Sequence, residues 1–315
     1  MIITCIIPYA GIGNQMFMYA GGLAAAQRLN AKLALAPRSF DNVTREGRPY
    51  QLNNFPAITE NFASFWEFWK ISPRNAILDF MDYHYSYTSI KRYQLFRRLM
   101  RKILLKCCAH SSSKKIYKPS YSSYSPEFEN IQDNTYMIGY WESEKIFSNI
   151  SDLVRKKFKF ADSCFNPELT AKIKSCNSVA LHVRRSDKLN HEWHWGSNEN
   201  YIRAAIEKIY SLTDNPEFFV FSDDIDYCRE NLPKIYPDAK YNFISQTPAQ
   251  DMALITICKH VITAPSTFSW WGAWLNENPR KIIIAPDINL WYKDLTPEII
   301  ADRKYLLPES WIKIN

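Results

Sequence analysis

Residues 182–188, which read HVRRSDK, bring a histidine, two arginines, an aspartate and a lysine together after an apolar run. The run predicts a buried strand over 179–185, so the charges lie at its carboxyl end. Arg184 and Arg185 suit a diphosphate, because a guanidinium group binds phosphate oxygens through two N–H groups and keeps its charge. Asp187 could hold one of the arginines in place. An ion-pair network between two domains would explain the same residues without a ligand.

A pair of carboxylates ends the next predicted strand, which covers 217–224 and finishes with Asp223 and Asp224. Paired carboxylates suggest a Mg²⁺ site, as in metal-dependent sugar transferases. One carboxylate could instead accept hydrogen bonds from the N1–H and the exocyclic amine of a guanine. One of the two could also cap the following helix, predicted near 226–232, since aspartate is a good N-cap residue. All three interpretations stay open.

A glycine-containing loop joins the first predicted strand, over 2–7, to a predicted helix over 14–29. Free backbone N–H groups and the helix dipole favour an anion at such a helix start. The loop contains Gly11, Gly13 and Asn14, but it lacks the third glycine of a dinucleotide-binding fingerprint and the GK[ST] of a Walker loop. It therefore predicts either a phosphate site of another type or a tight structural turn.

The stretch APSTFSWWGAWL places two hydroxyl groups, Ser266 and Thr267, at a second helix start, predicted over 268–277. This is another geometry that binds a phosphate. The three tryptophans that follow are expected in the protein core rather than against a ligand.

These motifs follow strands in a repeating strand–helix order, which predicts open parallel sheets covered by helices on both faces. Ligands of such sheets bind beyond the carboxyl ends of the strands, where the motifs lie. The predicted fold class is α/β, with domains at 1–160 and 161–315. Between residues 40 and 150 the pattern is weaker, and it predicts a strand over 135–141 and a helix near 142–157. Further elements are predicted as helices over 198–212 and 248–260 and strands over 241–245, 261–267 and 281–286.

Composition excludes several classes of protein. Of 315 residues, 46% are hydrophobic, which suits a folded protein with a large core and excludes general disorder. There is no run of 18 or more apolar residues, so a membrane-spanning helix is not predicted. Seven cysteines without a CxxC pattern predict reduced thiols and a cytoplasmic location.

The net charge of +7 is concentrated in residues 91–118, which contain ten Lys or Arg and no acid. The rest of the chain has 29 basic residues against 32 acidic ones. Leu95, Leu99 and Ile103 recur at helical spacing among the basic residues. A basic amphipathic helix of this kind predicts either peripheral contact with an anionic membrane or a solvated helix packed on its own domain. Nucleic-acid binding is a third interpretation, which no recognised motif accompanies.

Two α/β domains, two helix starts that favour an anion, an arginine pair and a carboxylate suited to guanine together predict a site for a nucleotide diphosphate. The chemistry that fits is transfer of a sugar from a nucleotide sugar. Fixed guanidinium and N–H donors would stabilise the charge that develops on the leaving diphosphate, and loss of one such donor typically costs roughly 10²–10³ in rate.

The segments GIGNQMFMYA, HVRRSD, FSDD and STFSWWGAWL, in this order, resemble the motifs of bacterial α-1,2-fucosyltransferases of glycosyltransferase family 11. The resemblance runs from residue 2 to about residue 290, with residues 40–130 poorly covered. It implies a GT-B fold of two Rossmann-like domains facing each other across a cleft, with the N-terminal domain on the acceptor side. It also implies GDP-β-L-fucose as donor, inversion to an α-fucoside and no metal or other cofactor.

The same resemblance implies an acceptor. The acceptor would be the 2-hydroxyl group of a terminal galactose on an oligosaccharide or a lipid-linked glycan. Combined with the cysteine content and the basic segment, it leads us to expect a cytoplasmic enzyme, for which peripheral contact with the inner face of the membrane through residues 91–118 is one of the open alternatives.

The pattern HxRRxD also resembles that of α-1,6- and protein O-fucosyltransferases, which implies roles for single residues. By this likeness Arg184 would hold the β-phosphate, with support from Arg185. His182 and either Asp223 or Asp224 would contact guanosine.

Further roles follow from the same likeness. Ser266 and Thr267 would contact the phosphates, and the loop from Gly11 to Asn14 would close over the diphosphate. Glu192 stands where α-1,6-fucosyltransferases carry a glutamate that resembles the base, with Asp187 or a neighbouring histidine as the alternative. An inverting enzyme needs such a base on the face of the sugar opposite the leaving group.

Two other functions remain open. The chain could be a fucosyltransferase of a different linkage, such as α-1,6. It could also be a non-catalytic protein that binds a nucleotide sugar or a glycan and kept the site, although an acid in the loop after the arginines argues against this.

Overall fold

The computed structural model describes residues 1–7, 10–36, 49–85, 116–119, 122–185 and 197–315, with residues 81–85 described by their backbone alone. The chain forms two compact units, Met1–Lys157 and Phe158–Asn315. Each unit is built on a parallel sheet with helices packed on it, so the expected α/β class is confirmed.

The first unit contains a four-stranded parallel sheet. Its described strands are β1 (Ile2–Cys5), β2 (Leu33–Ala36), β3 (Ile116–Tyr117) and β4 (Thr135–Met137). Its described α-helices are α1 (Ile12–Arg28), α2 (Phe65–Ile71), α3 (Pro73–Tyr85) and α4 (Ser151–Lys157). The strand order is β2-β1-β4-β3. Helix α1 lies so close to β1 that a Cβ atom on Gly22 would stand 2.5 Å from Cβ of Thr4, which leaves no room for a side chain at position 22.

The strand predicted over 135–141 is shorter than expected. It ends at Met137, and Trp141 has a φ of 58°, in the left-handed region that a strand residue does not adopt. A bulky side chain rarely takes this conformation, so no propensity in the sequence could have indicated it.

The helix predicted near 142–157 is wrong over its first half. Only the part from Ser151 is α-helical, and two 3₁₀ turns, Glu144–Ile146 and Ser148–Ile150, precede it. The hydroxyl group of Ser143 accepts a hydrogen bond from a backbone N–H of the first turn, which starts a separate short element there.

The basic segment 91–118 lies largely outside the described residues, and so does the helix that the sequence predicts within it. Its described end contributes Ile116 and Tyr117 to β3. In the described ranges, no helix combines the length and the apolar character needed to cross a membrane.

The second unit contains a six-stranded parallel sheet. Its strands are β5 (Asn177–Val183), β6 (Pro216–Ser222), β7 (Lys240–Ile244), β8 (His260–Ile262), β9 (Ile283–Pro286) and β10 (Ile312–Ile314). Its α-helices are α5 (Pro167–Ser175), α6 (Glu199–Tyr210), α7 (Ile225–Ile235), α8 (Pro248–Ile257), α9 (Thr267–Leu275) and α10 (Pro297–Arg303). Every strand and helix predicted after residue 178 is present, and β10, α5 and α10 are additional.

Both faces of this sheet are covered by helices. Leu181 of β5 belongs to a buried core that α6 and α7 complete on one face. His182 points to the other face, against Phe268 of α9. On that face α8 and α9 pack so closely that a Cβ atom on Gly272 would stand 2.6 Å from Cγ2 of Ile255.

The strand order β10-β9-β8-β5-β6-β7 places a topological switch point between β5 and β8. The chain runs outward from β5 to β7, crosses back to β8 and then runs outward on the other side. Loops leave such a point in opposite directions and open a crevice at the carboxyl ends of the two strands. The arginine pair follows β5, and Ser266 and Thr267 follow β8, so the fold brings both motifs to this crevice.

Candidate functional site

Arg184 lies just beyond β5, where an ion pair with Asp223 fixes its guanidinium group. Nη1 of Arg184 is 3.2 Å from Oδ2 of Asp223, and the two side chains are 17% and 19% exposed. The other carboxylate oxygen, Oδ1, accepts a hydrogen bond of 2.9 Å from the backbone N–H of Arg185. Asp223 therefore ties the ends of β5 and β6 together and sets the direction of the Arg184 side chain.

Arg185 has different surroundings. Its Nε is 3.4 Å from Oδ2 of Asp224, and its guanidinium carbon lies 3.3 Å from the centre of the Tyr227 ring. Asp224 caps α7 by accepting a hydrogen bond from the backbone N–H of Tyr227, as one interpretation of the carboxylate pair predicts. Ion pairs are present in the cluster, but these two join neighbouring strands of one sheet rather than two domains. The guanidinium group of Arg185 is thus held by two side chains of the protein, those of Asp224 and Tyr227.

His182 is almost fully buried, with 4% of its surface exposed. Its ring centre lies 5.1 Å from that of Phe268, and its Nδ1 has no hydrogen-bond partner among the described residues. Burial, with a smaller effect of the nearby Arg184 charge, lowers the pKa of His182 to about 3. The imidazole is therefore neutral near pH 7 and offers a hydrogen bond rather than a charge.

Asp251 is a buried carboxylate that the sequence motifs did not single out. It lies in the first turn of α8, with 9% of its surface exposed, and its Oδ1 has no hydrogen-bond partner among the described residues. Burial raises the pKa of Asp251 to about 7, although a hydrogen bond from the backbone of Gln246 opposes the shift. The sequence offered one signal for this residue, a single acid shortly before the apolar run ALITI at residues 253–257. Since α8 follows β7, this carboxylate also stands at the carboxyl edge of the sheet.

The start of α9 forms the other wall of the crevice. The hydroxyl group of Ser266 caps the helix by accepting a hydrogen bond of 3.3 Å from the N–H of Phe268, and Thr267 is the first helical residue. The hydroxyl group of Ser269 accepts a bond of 3.0 Å from the N–H of Ala264, which tightens the turn after β8. The expected placement of the following tryptophans in the core is confirmed, since each of them is at most 5% exposed.

The glycine loop of the first unit follows β1, a central strand of its sheet. Gly11 is the N-cap of α1, and Gly13 and Asn14 lie in the first turn of that helix. Gly11 has a φ of −68°, and none of the described glycines has a positive φ. Any residue adopts such a backbone conformation, so the turn does not require glycine for its shape.

Gln15 is a buried residue that positions this loop. Its side-chain amide donates to the carbonyl groups of Ala10 and Pro49 at 2.9 and 3.0 Å. Its side-chain carbonyl accepts a bond of 2.9 Å from the N–H of Gln51. The start of α1 is therefore anchored to a distant part of the chain, which the sequence pattern did not indicate.

The predicted base Glu192 and its alternative Asp187 lie outside the described residues, as does the rest of segment 186–196. The residues that flank this segment bond to each other. The N–H of Arg184 donates to Oγ of Ser197 at 2.9 Å, and the N–H of Ser197 donates to the carbonyl of Arg184 at 2.9 Å. The segment therefore begins and ends at the carboxyl end of β5.

With this geometry in place, comparison with known proteins identifies the family. The model of glycosyl transferase family 11 matches residues 55–294, which include the whole crevice. The chain belongs to glycosyl transferase family 11. The family resemblance of the four motifs is thereby confirmed, and the chain is a glycosyltransferase. Gly11, Gly13 and Asn14 precede the matched residues.

Individual relatives are similar to this chain to different degrees. An α-1,2-colitosyltransferase of Escherichia coli is 28% identical over 97% of this chain and 96% of its own length. The O-antigen biosynthesis glycosyltransferase WbnK of Escherichia coli is 25% identical over 96% and 98%. A galactoside α-(1,2)-fucosyltransferase 1 of Aotus azarae is 35% identical over 103 residues, 31% of this chain and 28% of that protein.

Proposed function

We propose that this family 11 glycosyltransferase transfers L-fucose, with inversion, from GDP-β-L-fucose to the 2-hydroxyl group of a terminal galactose on an oligosaccharide or lipid-linked glycan. The observation that carries the proposal is the Arg184 guanidinium group, fixed by Asp223 at the switch point of the second sheet. A fixed cation at this place suits the diphosphate of a nucleotide sugar. Similarity to a galactoside α-(1,2)-fucosyltransferase supports the linkage.

The role proposed for Arg184 is to stabilise the leaving group. As the bond between the sugar and the β-phosphate breaks, negative charge develops on the phosphate oxygens. A guanidinium group held in advance needs no reorganisation at that moment, and neither do the N–H groups at the start of α9, beside Ser266 and Thr267. Arg185, held by Asp224 and Tyr227, adds positive potential and keeps the end of β5 rigid.

Guanine recognition is proposed for His182 and Asp251 rather than for Asp223 or Asp224. The latter pair is already engaged with Arg184 and Arg185. His182 and Asp251 instead each hold a buried polar atom that lacks a partner among the described residues. Such an atom costs free energy unless a ligand satisfies it. The N1–H and exocyclic amine of guanine are donors that suit the Asp251 carboxylate.

The two units fit a GT-B assignment, which we propose with domains at 1–160 and 161–315. In this proposal the first domain serves the acceptor, and its loop from Gly11 to Asn14 closes over the diphosphate. The support is that in each unit a central strand of the sheet leads to an anion-favouring helix start, β1 to α1 in the first unit and β8 to α9 in the second.

No metal or other cofactor is required in this proposal. Asp223 and Asp224 are the paired carboxylates that suggested Mg²⁺, and an arginine partner neutralises each of them. The two guanidinium groups remain fixed hydrogen-bond donors, which can bind the phosphate oxygens that a metal binds in other sugar transferases. Retained activity in EDTA is the expected outcome.

Glu192 is the proposed base, with Asp187 as the alternative. The base would take the proton of the acceptor hydroxyl as that oxygen attacks the anomeric carbon on the face opposite the leaving GDP. The support is positional: the segment that carries both acids is joined at its ends by Arg184 and Ser197, beside the proposed diphosphate site.

A second candidate donor is GDP-colitose. An α-1,2-colitosyltransferase is similar over 97% of this chain, and colitose is L-fucose without its 3-hydroxyl group. The two donors share the nucleotide and the diphosphate, so Arg184, His182 and Asp251 serve both equally. Discrimination would depend on whether a polar group of the enzyme bonds the 3-hydroxyl group. A different linkage, such as α-1,6, and non-catalytic binding of a nucleotide sugar are the remaining alternatives.

A transfer assay with the purified full chain tests the proposal. GDP-fucose and GDP-colitose are offered separately with β-galactosides in the presence of EDTA, and the linkage of the product is determined by NMR. We expect fucose on the 2-hydroxyl group of galactose. Transfer of colitose alone, a different linkage, or GDP binding in calorimetry without any transfer would each contradict the proposal in a distinguishable way.

A further inference from the structure

The start of helix α6 is held firmly on the second sheet. The side chain of Asn198 caps the helix by accepting a hydrogen bond of 2.7 Å from the N–H of Tyr201. The hydroxyl group of the buried Tyr201 donates a bond of 2.7 Å to the carbonyl of Thr263, directly after β8. Because a cap and a buried hydroxyl bond fix the first turn, a side chain that leaves this turn starts from a defined place.

Glu199 leaves this first turn and reaches helix α7. Its Oε1 accepts a hydrogen bond of 2.9 Å from the hydroxyl group of Tyr227, which lies in the first turn of α7. Burial and this bond raise the pKa of Tyr227, so the hydroxyl group keeps its proton and remains the donor at neutral pH. The face of the Tyr227 ring lies against Arg185, whose guanidinium carbon is 3.3 Å from the ring centre. A line of contacts thus runs from Glu199 through Tyr227 to Arg185.

The charges along this line support one another. A guanidinium group is attracted to the negative face of an aromatic ring, and a carboxylate that accepts the phenol proton makes that face more negative. The ring also packs beside the buried core under α6 and α7. Packing alone would explain the place of the ring. It does not explain why its hydroxyl group bonds to an acid while its face meets a cation.

We propose that Glu199 and Tyr227 are positioning residues for Arg185, so that the start of α6 sets the place of both arginines at the diphosphate site. Ser197, two residues before Glu199, bonds the backbone N–H of Arg184 at 2.9 Å. The same helix start therefore holds Arg184 by its backbone and Arg185 by its guanidinium group. Donors that are fixed in advance stabilise developing charge best. The inference rests on the proposed function, because it assigns these residues to the diphosphate site of that reaction.

Substitutions that remove one contact at a time test the proposal in the full chain. Tyr227→Leu removes the ring and should lower kcat about tenfold, whereas Tyr227→Phe keeps the ring and should lower it only about twofold. Glu199→Ala should match Tyr227→Phe, because each removes the same hydrogen bond. Glu199 is exposed, so this variant should unfold at the same temperature as the unchanged protein. Thermal unfolding is recorded for every sample.

A double-mutant cycle separates positioning from support of the fold. In an Arg185→Ala background, Tyr227→Leu should change kcat less than about twofold, because no guanidinium group is left to position. Phe243→Leu is the control, since Phe243 lies under Arg229 at 5.2 Å, and its small effect should be the same in both backgrounds. An equal loss from Tyr227→Leu in both backgrounds would overturn the proposal. If Tyr227→Leu does not fold, the cycle of Glu199→Ala with Arg185→Ala gives the same decision.

Binding of GDP keeps this test apart from the test of the proposed function. An unchanged protein that binds GDP but transfers no sugar would contradict the proposed function alone. The same cycle is then measured on the Kd for GDP by calorimetry. Tyr227→Leu should raise this Kd about threefold when Arg185 is present and leave it unchanged when Arg185 is absent. A rise of equal size in both backgrounds would overturn the positioning role.

Discussion

At the scale of single residues, Arg184 and Arg185 are neighbours in sequence but differ in what holds their guanidinium groups. Asp223 binds the terminal Nη1 of Arg184, whereas Asp224 binds Nε of Arg185 and the Tyr227 ring covers its guanidinium group. Because one face of Arg185 is covered in this way, Arg184 is the arginine that we propose to contact the diphosphate. In the same proposal Arg185 acts through its charge and through the rigidity that it gives to the end of β5.

Asp251 provides a test of the guanine site through its pH dependence. Burial raises the pKa of the carboxyl to about 7, and in the proposed site guanine binds the ionised form. The Kd for GDP should therefore fall about tenfold between pH 6 and pH 8, where this group ionises. Asp251→Asn should weaken GDP binding and remove this pH dependence, which calorimetry at several pH values measures.

Asp226→Asn is the matched control, because Asp226 is an exposed acid in the first turn of α7.

Protein stability gives an independent check of the direction in which the Asp251 pKa is shifted. The unfolded carboxyl has a pKa near 3.8, so the folded state binds the proton more tightly, and this group's contribution to stability is lost as the pH rises from about 4 to about 7. Relative to the unchanged protein, Asp251→Asn should therefore gain stability over that range. Equal pH profiles of GDP binding in both proteins would exclude Asp251 from the site.

The residue types alone predicted the cations but not their partners. Two arginines at a strand end indicate an anion, because that inference needs only their chemistry and their place after an apolar run. The pairing of Arg184 with Asp223 depends on β5 and β6 being neighbours in the sheet, which no local sequence pattern predicts. Asp251 was missed for the same reason, since only burial distinguishes it from an ordinary acid in the first turn of a helix.

At the scale of elements, Ser197 joins the end of β5 to the start of α6. Its hydroxyl group accepts a hydrogen bond from the N–H of Arg184, and its own N–H donates to the carbonyl of Arg184. Ser197 is therefore a positioning residue for both Arg184 and the segment that carries Glu192. Ser197→Ala should lower kcat about tenfold while the Kd for GDP changes little, because small displacements of reacting groups are costly.

Ser197→Thr keeps the hydroxyl group and should restore most of the turnover. Ser211→Ala serves as the control, since the Ser211 hydroxyl group makes only a local bond at the end of α6. A loss of thermal stability in Ser197→Ala that accounts for the whole loss of activity would reduce Ser197 to a structural role. An unchanged kcat would contradict the prediction directly.

The elements of the second unit could be predicted well because their pattern is strong. Strands such as β5 and β6 are buried on both faces and read as continuous apolar runs between polar loops. The elements of the first unit depend on features that residue propensities do not predict, such as the positive φ of Trp141 and the caps of short 3₁₀ turns. The short strand β10 was missed because three residues carry no periodic signal.

At the scale of the whole molecule, the chain divides into two compact units, and each places a helix start after a central strand of its sheet. The order of motifs along the chain follows from this arrangement, since each motif comes after a strand near the centre of its sheet. Ordered motifs identify the family more securely than any single motif, and the match over residues 55–294 agrees with them. The acceptor could not be predicted, because much of the segment between β2 and β4 carries no motif.

The central claim is that Arg184 stabilises the charge of the leaving diphosphate, and the turnover of Arg184→Ala tests it most directly. The measurement is kcat for transfer from the donor at saturating substrate, with thermal unfolding recorded for the same samples. Arg229→Ala is the matched control, because Arg229 is exposed on α7 and packs over the ring of Phe243. A loss of roughly 10²–10³ in kcat with unchanged unfolding is the predicted result. Turnover within a few-fold of the unchanged protein would contradict the account.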